Sequence, residues 1–143
     1  MKQLAMYEIL AQCAMLDSEE QQINFLKTHW SKHLAETLAL VYDERVHWLM
    51  PKETPPYTPY EPSQGENDAK MTLHQEASRG KLYYFVHAGK GQNVNSLQRE
   101  NMFINLLEMV HPKDAELLIM FNRKELPQGI TRELIEKAYG VYE

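Results

Sequence analysis

Cysteine is nearly absent from this chain: Cys13 stands alone among 143 residues. Neither an intrachain disulfide nor a cysteine zinc cluster can form. Glycine is sparse too, and Gly89-Lys90-Gly91 lacks both the GxxxxGK[ST] spacing and the preceding strand of a phosphate-binding loop. Alternating β-branched runs of strand length are missing, as is any internal repeat. No apolar run approaches membrane-spanning length, and acidic and amide residues interrupt the apolar positions near the N-terminus, against a signal peptide. No serine, cysteine or histidine sits in a recognisable nucleophilic motif. These absences predict a protein of a reducing cytoplasm that does not enter a membrane, is not an enzyme and needs no cofactor.

His29 and His33 stand four apart, with Glu36 three further on. One helix through all three could offer metal ligands, but Ser31 reads as a cap between two helices, which gives a helix junction and no metal site. Adjacent Asp43 and Glu44 point in different directions on a helix and do not form an acid–base pair.

Apolar residues recur at helical spacing almost throughout. Met6, Ile9, Leu10 and Cys13 form one face; Ile23, Leu26 and Trp30 a second; Leu34, Leu38 and Val41 a third; Phe103, Leu106, Leu107 and Val110 a fourth. Val46 and Leu49 extend the third helix or form a short separate turn. Asp17-Ser18 with Glu19 and Glu20, and Pro112 at a first helical position, are start signals. A helix over about 67–88 is expected, loosened at Gly80, with Leu82, Phe85 and Val86 inward. With 43% hydrophobic residues, the length suits one compact domain, residues 1–143. The expected fold is all-α, of about six or seven short helices in a layered, orthogonal arrangement.

Proline is concentrated in one place: Pro51, Pro55, Pro56, Pro59 and Pro62 are five of seven. Residues 51–66 therefore read as an extended surface loop, in which Tyr57 and Tyr60 either pin the crossing or dock a partner. Charge is just as uneven. Residues 1–69 carry −6, residues 70–99 carry +4 and residues 100–143 carry −3, to a total of −5. The middle block holds Lys70, Arg79, Lys81, Lys90 and Arg99 against Glu76 alone. It either balances the acidic helices or lays cations along a nucleic-acid backbone, with Tyr83, Tyr84 and Phe85 interleaved. Near the C-terminus, Lys124 precedes a Gly129 turn and a Thr131 cap, which present helix N-terminal amides suited to a phosphate oxygen.

Two stretches resemble the N-terminal all-helical DNA-binding domain of viral ATP-dependent DNA ligases. They are Leu38-Ala-Leu-Val-Tyr42 running to Tyr57, and Arg123-Lys-Glu-Leu126 with Gly129 and Ile135-Glu-Lys137 to Gly140. The resemblance implies a ligase-domain-like fold whose closing turn grips DNA backbone. Glu125 replaces the usual Asp, Pro127 enters the turn and no KxDG motif is present, so ligase activity does not carry over. Lys81-Leu-Tyr-Tyr-Phe85 and Arg99-Glu-Asn-Met-Phe-Ile104 are similar to a family of small uncharacterised proteins from marine tailed phages, cyanophages included. That likeness implies a phage protein in the cytoplasm of its bacterial host. The resulting expectation is a non-catalytic phage accessory protein that binds DNA backbone in replication or repair through Arg79, Lys81, Lys90, Arg99, Lys124, Gly129 and Thr131. The alternatives are a module that binds a host or phage enzyme through Tyr57, Tyr60 or its acidic helices, and an acidic DNA mimic.

Overall fold

The computed structural model describes residues 4–51, 53–60, 73–87 and 94–140. Seven α-helices lie among them: α1 Met6–Ala14, α2 Glu19–Thr28, α3 Lys32–Tyr42, α4 Leu73–Ser78, α5 Ser96–Met109, α6 Pro112–Asn122 and α7 Arg132–Tyr139. A 3-10 turn, Lys81–Phe85, joins the α4 end to the α5 side of the molecule. None of these helices is long and apolar enough to cross a membrane.

Helix starts follow from short polar side chains that take an otherwise unpaired first-turn amide. Ser18 accepts from Gln21 N–H at 3.2 Å, Ser31 from Leu34 N–H at 3.0 Å and Thr131 from Leu134 N–H at 3.1 Å. Asn95 accepts from Gln98 N–H at 2.8 Å while the Gln98 amide oxygen receives Asn95 N–H at 3.1 Å, a reciprocal capping box. Ser31 thus starts α3, which places His29 at the end of α2 and His33 on a different helix. Among the described residues no group of three or more His, Cys, Asp or Glu is placed to hold a metal ion.

The apolar stripes converge on one core. Met6, Ile9, Leu10 and Cys13 of α1 meet Leu26, Leu34, Leu38, Phe103, Leu107, Leu118, Phe121 and Ile135, all buried. Phe85 and Phe103 pack edge to face at 5.1 Å, a favoured aromatic geometry. Layering comes from α2 on α7, α5 on α6 and α3 on α4. Tyr139 of α7 donates its hydroxyl to Leu26 O at 2.9 Å, and burial raises that phenol's pKa.

Three expectations need correction. The expected helix over 67–88 is two pieces where described: α4 ends at Ser78, the chain turns at Gly80, whose φ of +74° is a left-handed conformation, and the 3-10 turn follows. Leu82, Phe85 and Val86 are nonetheless buried as expected; residues 67–72 and 88 lie outside the described residues. Of the two readings of Val46 and Leu49, extension of α3 is excluded, and a separate turn is met only at the start, where Val46 N–H bonds Asp43 O at 3.1 Å. Their segment runs back along the 3-10 turn, with Leu49 N–H on Phe85 O at 2.8 Å, His87 N–H on His47 O at 2.7 Å and an antiparallel bridge between Trp48 and Val86. The indole N–H of Trp48 donates to Leu40 O at 3.0 Å and fixes that segment. Trp30 lies beyond the end of α2 at Thr28 and is 55% exposed, because the Ser31 cap restarts the chain one residue later.

One buried acid organises the centre. Asp114, in the first turn of α6, is 1% exposed and accepts Tyr7 N–H of α1 at 3.1 Å. It also receives the backbone N–H of Leu73 at the start of α4, and burial pushes its carboxyl up to about 6 against those two bonds.

Candidate nucleic-acid interface

Two cations of the basic middle block meet at Tyr84. The 3-10 turn eclipses residues three apart, so Lys81 lies beside Tyr84, its ammonium 5.9 Å from the ring centroid. From α5, Arg99 reaches across: Nε donates to Tyr84 O at 3.3 Å and Nη2 to Val94 O at 3.1 Å. Two of the expected cations therefore flank one tyrosine, although Arg99 holds backbone carbonyls as it does so. Arg79 sits just before Gly80 with a side chain 59% exposed, and Nη1 is 3.9 Å from Glu76 Oε1. Lys90 lies outside the described residues.

The second expected site, the α6–α7 turn, is built differently. Helix α6 closes with Lys124 N–H on Phe121 O and Glu125 N–H on Met120 O, both at 2.9 Å. This is a Schellman ending whose left-handed position is ordinarily glycine. Here it is Lys124, with φ +59°. Its ammonium donates to the carbonyls of Asp43 and Val46, the latter at 2.7 Å, and desolvation lowers its pKa although Asp43 and Glu44 oppose that shift. Lys124 is thus a staple between the end of α6 and the chain leaving α3.

Gly129 and Thr131 keep the local geometry expected of them. Gly129 has φ +89°, and a Cβ there would stand 3.1 Å from Ala14 Cβ at the end of α1. Gly129→Ala is therefore expected to destabilise the fold by about 1–2 kcal/mol, from left-handed strain plus a tight contact, read as a lower urea midpoint at unchanged m-value. Thr131 caps α7 through Leu134 N–H, which leaves the Arg132 and Glu133 amides outside the helix's own ladder.

Sequence reasoning did not single out Arg132. Its guanidinium lies 5.2 Å from the Tyr42 ring, Nη1 donates to Tyr42 O at 3.5 Å, and Nε pairs with Glu136 Oε1 at 2.5 Å. Only its place directly after the Thr131 cap could have marked it. One residue on from Tyr42, Asp43 is gripped by Arg45 through Nε at 3.0 Å and Nη2 at 2.8 Å, which holds that carboxyl down at about 2. The Val46–Leu49 segment connects the two regions, with Lys124 on its first carbonyl and the 3-10 turn along its end.

Of the two loop tyrosines, Tyr57 packs against the core, and burial followed by the charge of Glu116 raises its pKa. Tyr60 lines a cleft with Glu76, Lys81 and α5. The segment carrying them is held where Thr58 N–H meets Glu108 Oε2 at 2.8 Å.

No match to this chain is found among curated proteins, nor among solved structures. A family model does match, over residues 9–128, which includes α2 to α6 whole, the 3-10 turn and most of α1. The chain belongs to that family, a family of unknown function (DUF6433).

Proposed function

We propose that this is a non-catalytic accessory protein that binds DNA backbone, with replication or repair as its setting, and that it is a phage protein working in the cytoplasm of a bacterial host. The observation that carries the reading is the Tyr84 platform: Lys81 over the ring, Arg99 on its carbonyl and Arg79 a short step along the chain. Cations interleaved with an aromatic face suit a phosphate backbone and sequence-tolerant stacking. The Gly129–Thr131 turn supports the same reading, since its unladdered amides and Arg132 lie in the stretch that resembles the closing turn of the ligase DNA-binding domain. Arg99 and Lys124 hold backbone carbonyls, so their contribution to phosphate contact is secondary to Arg79, Lys81 and Lys90.

The test is a triple variant, Arg79→Ala, Lys81→Ala and Lys90→Ala, in the full chain. It is expected to fold and to reduce the slope of log affinity against log salt by about 3, roughly one for each phosphate contact removed. Unchanged DNA affinity and slope in the folded variant would sink the assignment. A second reading, docking of a host or phage enzyme, draws on Tyr60, which lines a cleft with Glu76, Lys81 and α5. It predicts that Tyr57→Ala with Tyr60→Ala abolishes partner capture and leaves DNA affinity intact.

A further inference from the structure

Glu76 is the lone acid of the basic block, and the fold buries it. It is 2% exposed, and its Oε1 accepts no hydrogen bond. The Arg79 guanidinium is 3.9 Å away, too far for a hydrogen bond, on a side chain that is itself 59% exposed. A carboxylate left without a donor in low dielectric is costly, and folds rarely retain one without a use for it. Glu76 lines a cleft of about 510 Å³, a volume in the range of small-ligand pockets.

The walls of that cleft state the rest of the chemistry. Phe85, Met102, Leu106 and Met109 make it largely apolar, with Tyr60 and Glu108 also lining it. Methionine thioethers re-pack easily around a guest. Glu108 adds a second carboxylate, of which Oε2 already accepts Thr58 N–H. Lys81 is the one cation on the walls formed by described residues; its ammonium is directed to the Tyr84 ring, with no ion pair to Glu76 within 4 Å. An anionic guest would meet two carboxylates, and a purely apolar one would leave Glu76 Oε1 without a hydrogen bond.

We infer that this cleft binds an organic cation: an amino, amidino or guanidino group on an apolar body, with its N–H donors on Glu76 and its body against Phe85, Met102, Leu106 and Met109. The same group could come from a free small amine or from a lysine or arginine side chain of a protein. This inference does not rest on the DNA reading, although Lys81 lines the cleft and, among the described residues, Arg79 is the cation nearest Glu76.

The experiment is a titration of the full-length protein, followed by amide chemical shifts, with benzamidine and phenethylamine, their neutral counterparts benzamide and 2-phenylethanol, and benzoate. The cations are expected to bind at least about tenfold more tightly than the neutral counterparts, the usual worth of a charge-assisted hydrogen bond, and benzoate more weakly still. Glu76→Gln should erase that preference while the thermal midpoint stays equal or rises. Met102→Trp, which fills the cleft, should abolish binding of every probe. The methylamides of Nα-acetyl-lysine and Nα-acetyl-arginine, whose side chains keep their charge, separate the sources: binding by them assigns the guest to a protein side chain, and binding by the free amines alone assigns it to a small molecule. Equal affinity for benzamidine and benzamide, a preference that survives Glu76→Gln, or binding untouched by Met102→Trp would overturn the inference, as would no shift with any cation. Glu76→Gln removes the acid beside Arg79 and is expected to leave DNA affinity equal or higher, so loss of cation binding is distinguishable from loss of DNA binding.

Discussion

Between pH 4 and pH 6 the protein is expected to lose about 3 kcal/mol of folding stability through Asp114, and Asp114→Asn to show none of that loss. In the folded chain the carboxyl is pushed up to about 6 from an ordinary 3.8, with burial the largest cause and the Tyr7 and Leu73 amides opposing it. Within that window the native state keeps the proton that the unfolded chain has released, so stability falls as pH rises, and above about pH 6 the loss is complete. Asp43 acts with the opposite sign lower down. Its carboxyl is held at about 2 by the Arg45 hydrogen bonds, so the stability it contributes disappears as pH falls from about 4 towards 2. Taken together, the contributions of these two groups are greatest near pH 4. Urea melts of the parent and Asp114→Asn across this range check the claim, and parallel curves would show that Asp114 is not the buried acid described above.

Lys124→Met is expected to destabilise the fold by about 2–3 kcal/mol, the cost of leaving two part-buried carbonyls without a charged donor. The aliphatic length is kept, so packing changes little. Lys124→Gly is expected to cost roughly 1 kcal/mol less than Lys124→Met, because glycine occupies the left-handed position of the α6 ending without strain. That ordering separates a staple from a DNA contact. In both folded variants the salt slope of DNA binding is expected to stay near that of the parent, whereas a large fall in slope at unchanged stability would return Lys124 to the interface.

The helices were legible because their signals are local. The stripes of α1, α3 and α5, the Ser18 and Ser31 caps and Pro112 act within a few residues, and each appears where the spacing placed it. Long-range choices were not. Gly80 read as a loosening of a long helix, yet its left-handed φ ends α4, and the 3-10 turn that follows is held by Leu49 and His47 from a distant segment. The candidate site divides the same way. The sequence marked Lys81 and Arg99 by charge alone, but that both meet at Tyr84 depends on how α5 packs on the 3-10 turn. Lys124 looked like a surface cation and is bonded to carbonyls some eighty residues away. Glu76 carried a visible sign, one acid among five bases, whose meaning appears only once the helix turns it inward.

Binding of DNA backbone is tested most directly by a fluorescence titration of duplex and nicked DNA with the full-length protein at low and moderate salt. Binding to both is expected, weakening steeply with salt, with a log–log slope of about −3 or steeper for contacts led by Arg79, Lys81 and Lys90. Absence of binding at low salt, or affinity indifferent to salt, would contradict it.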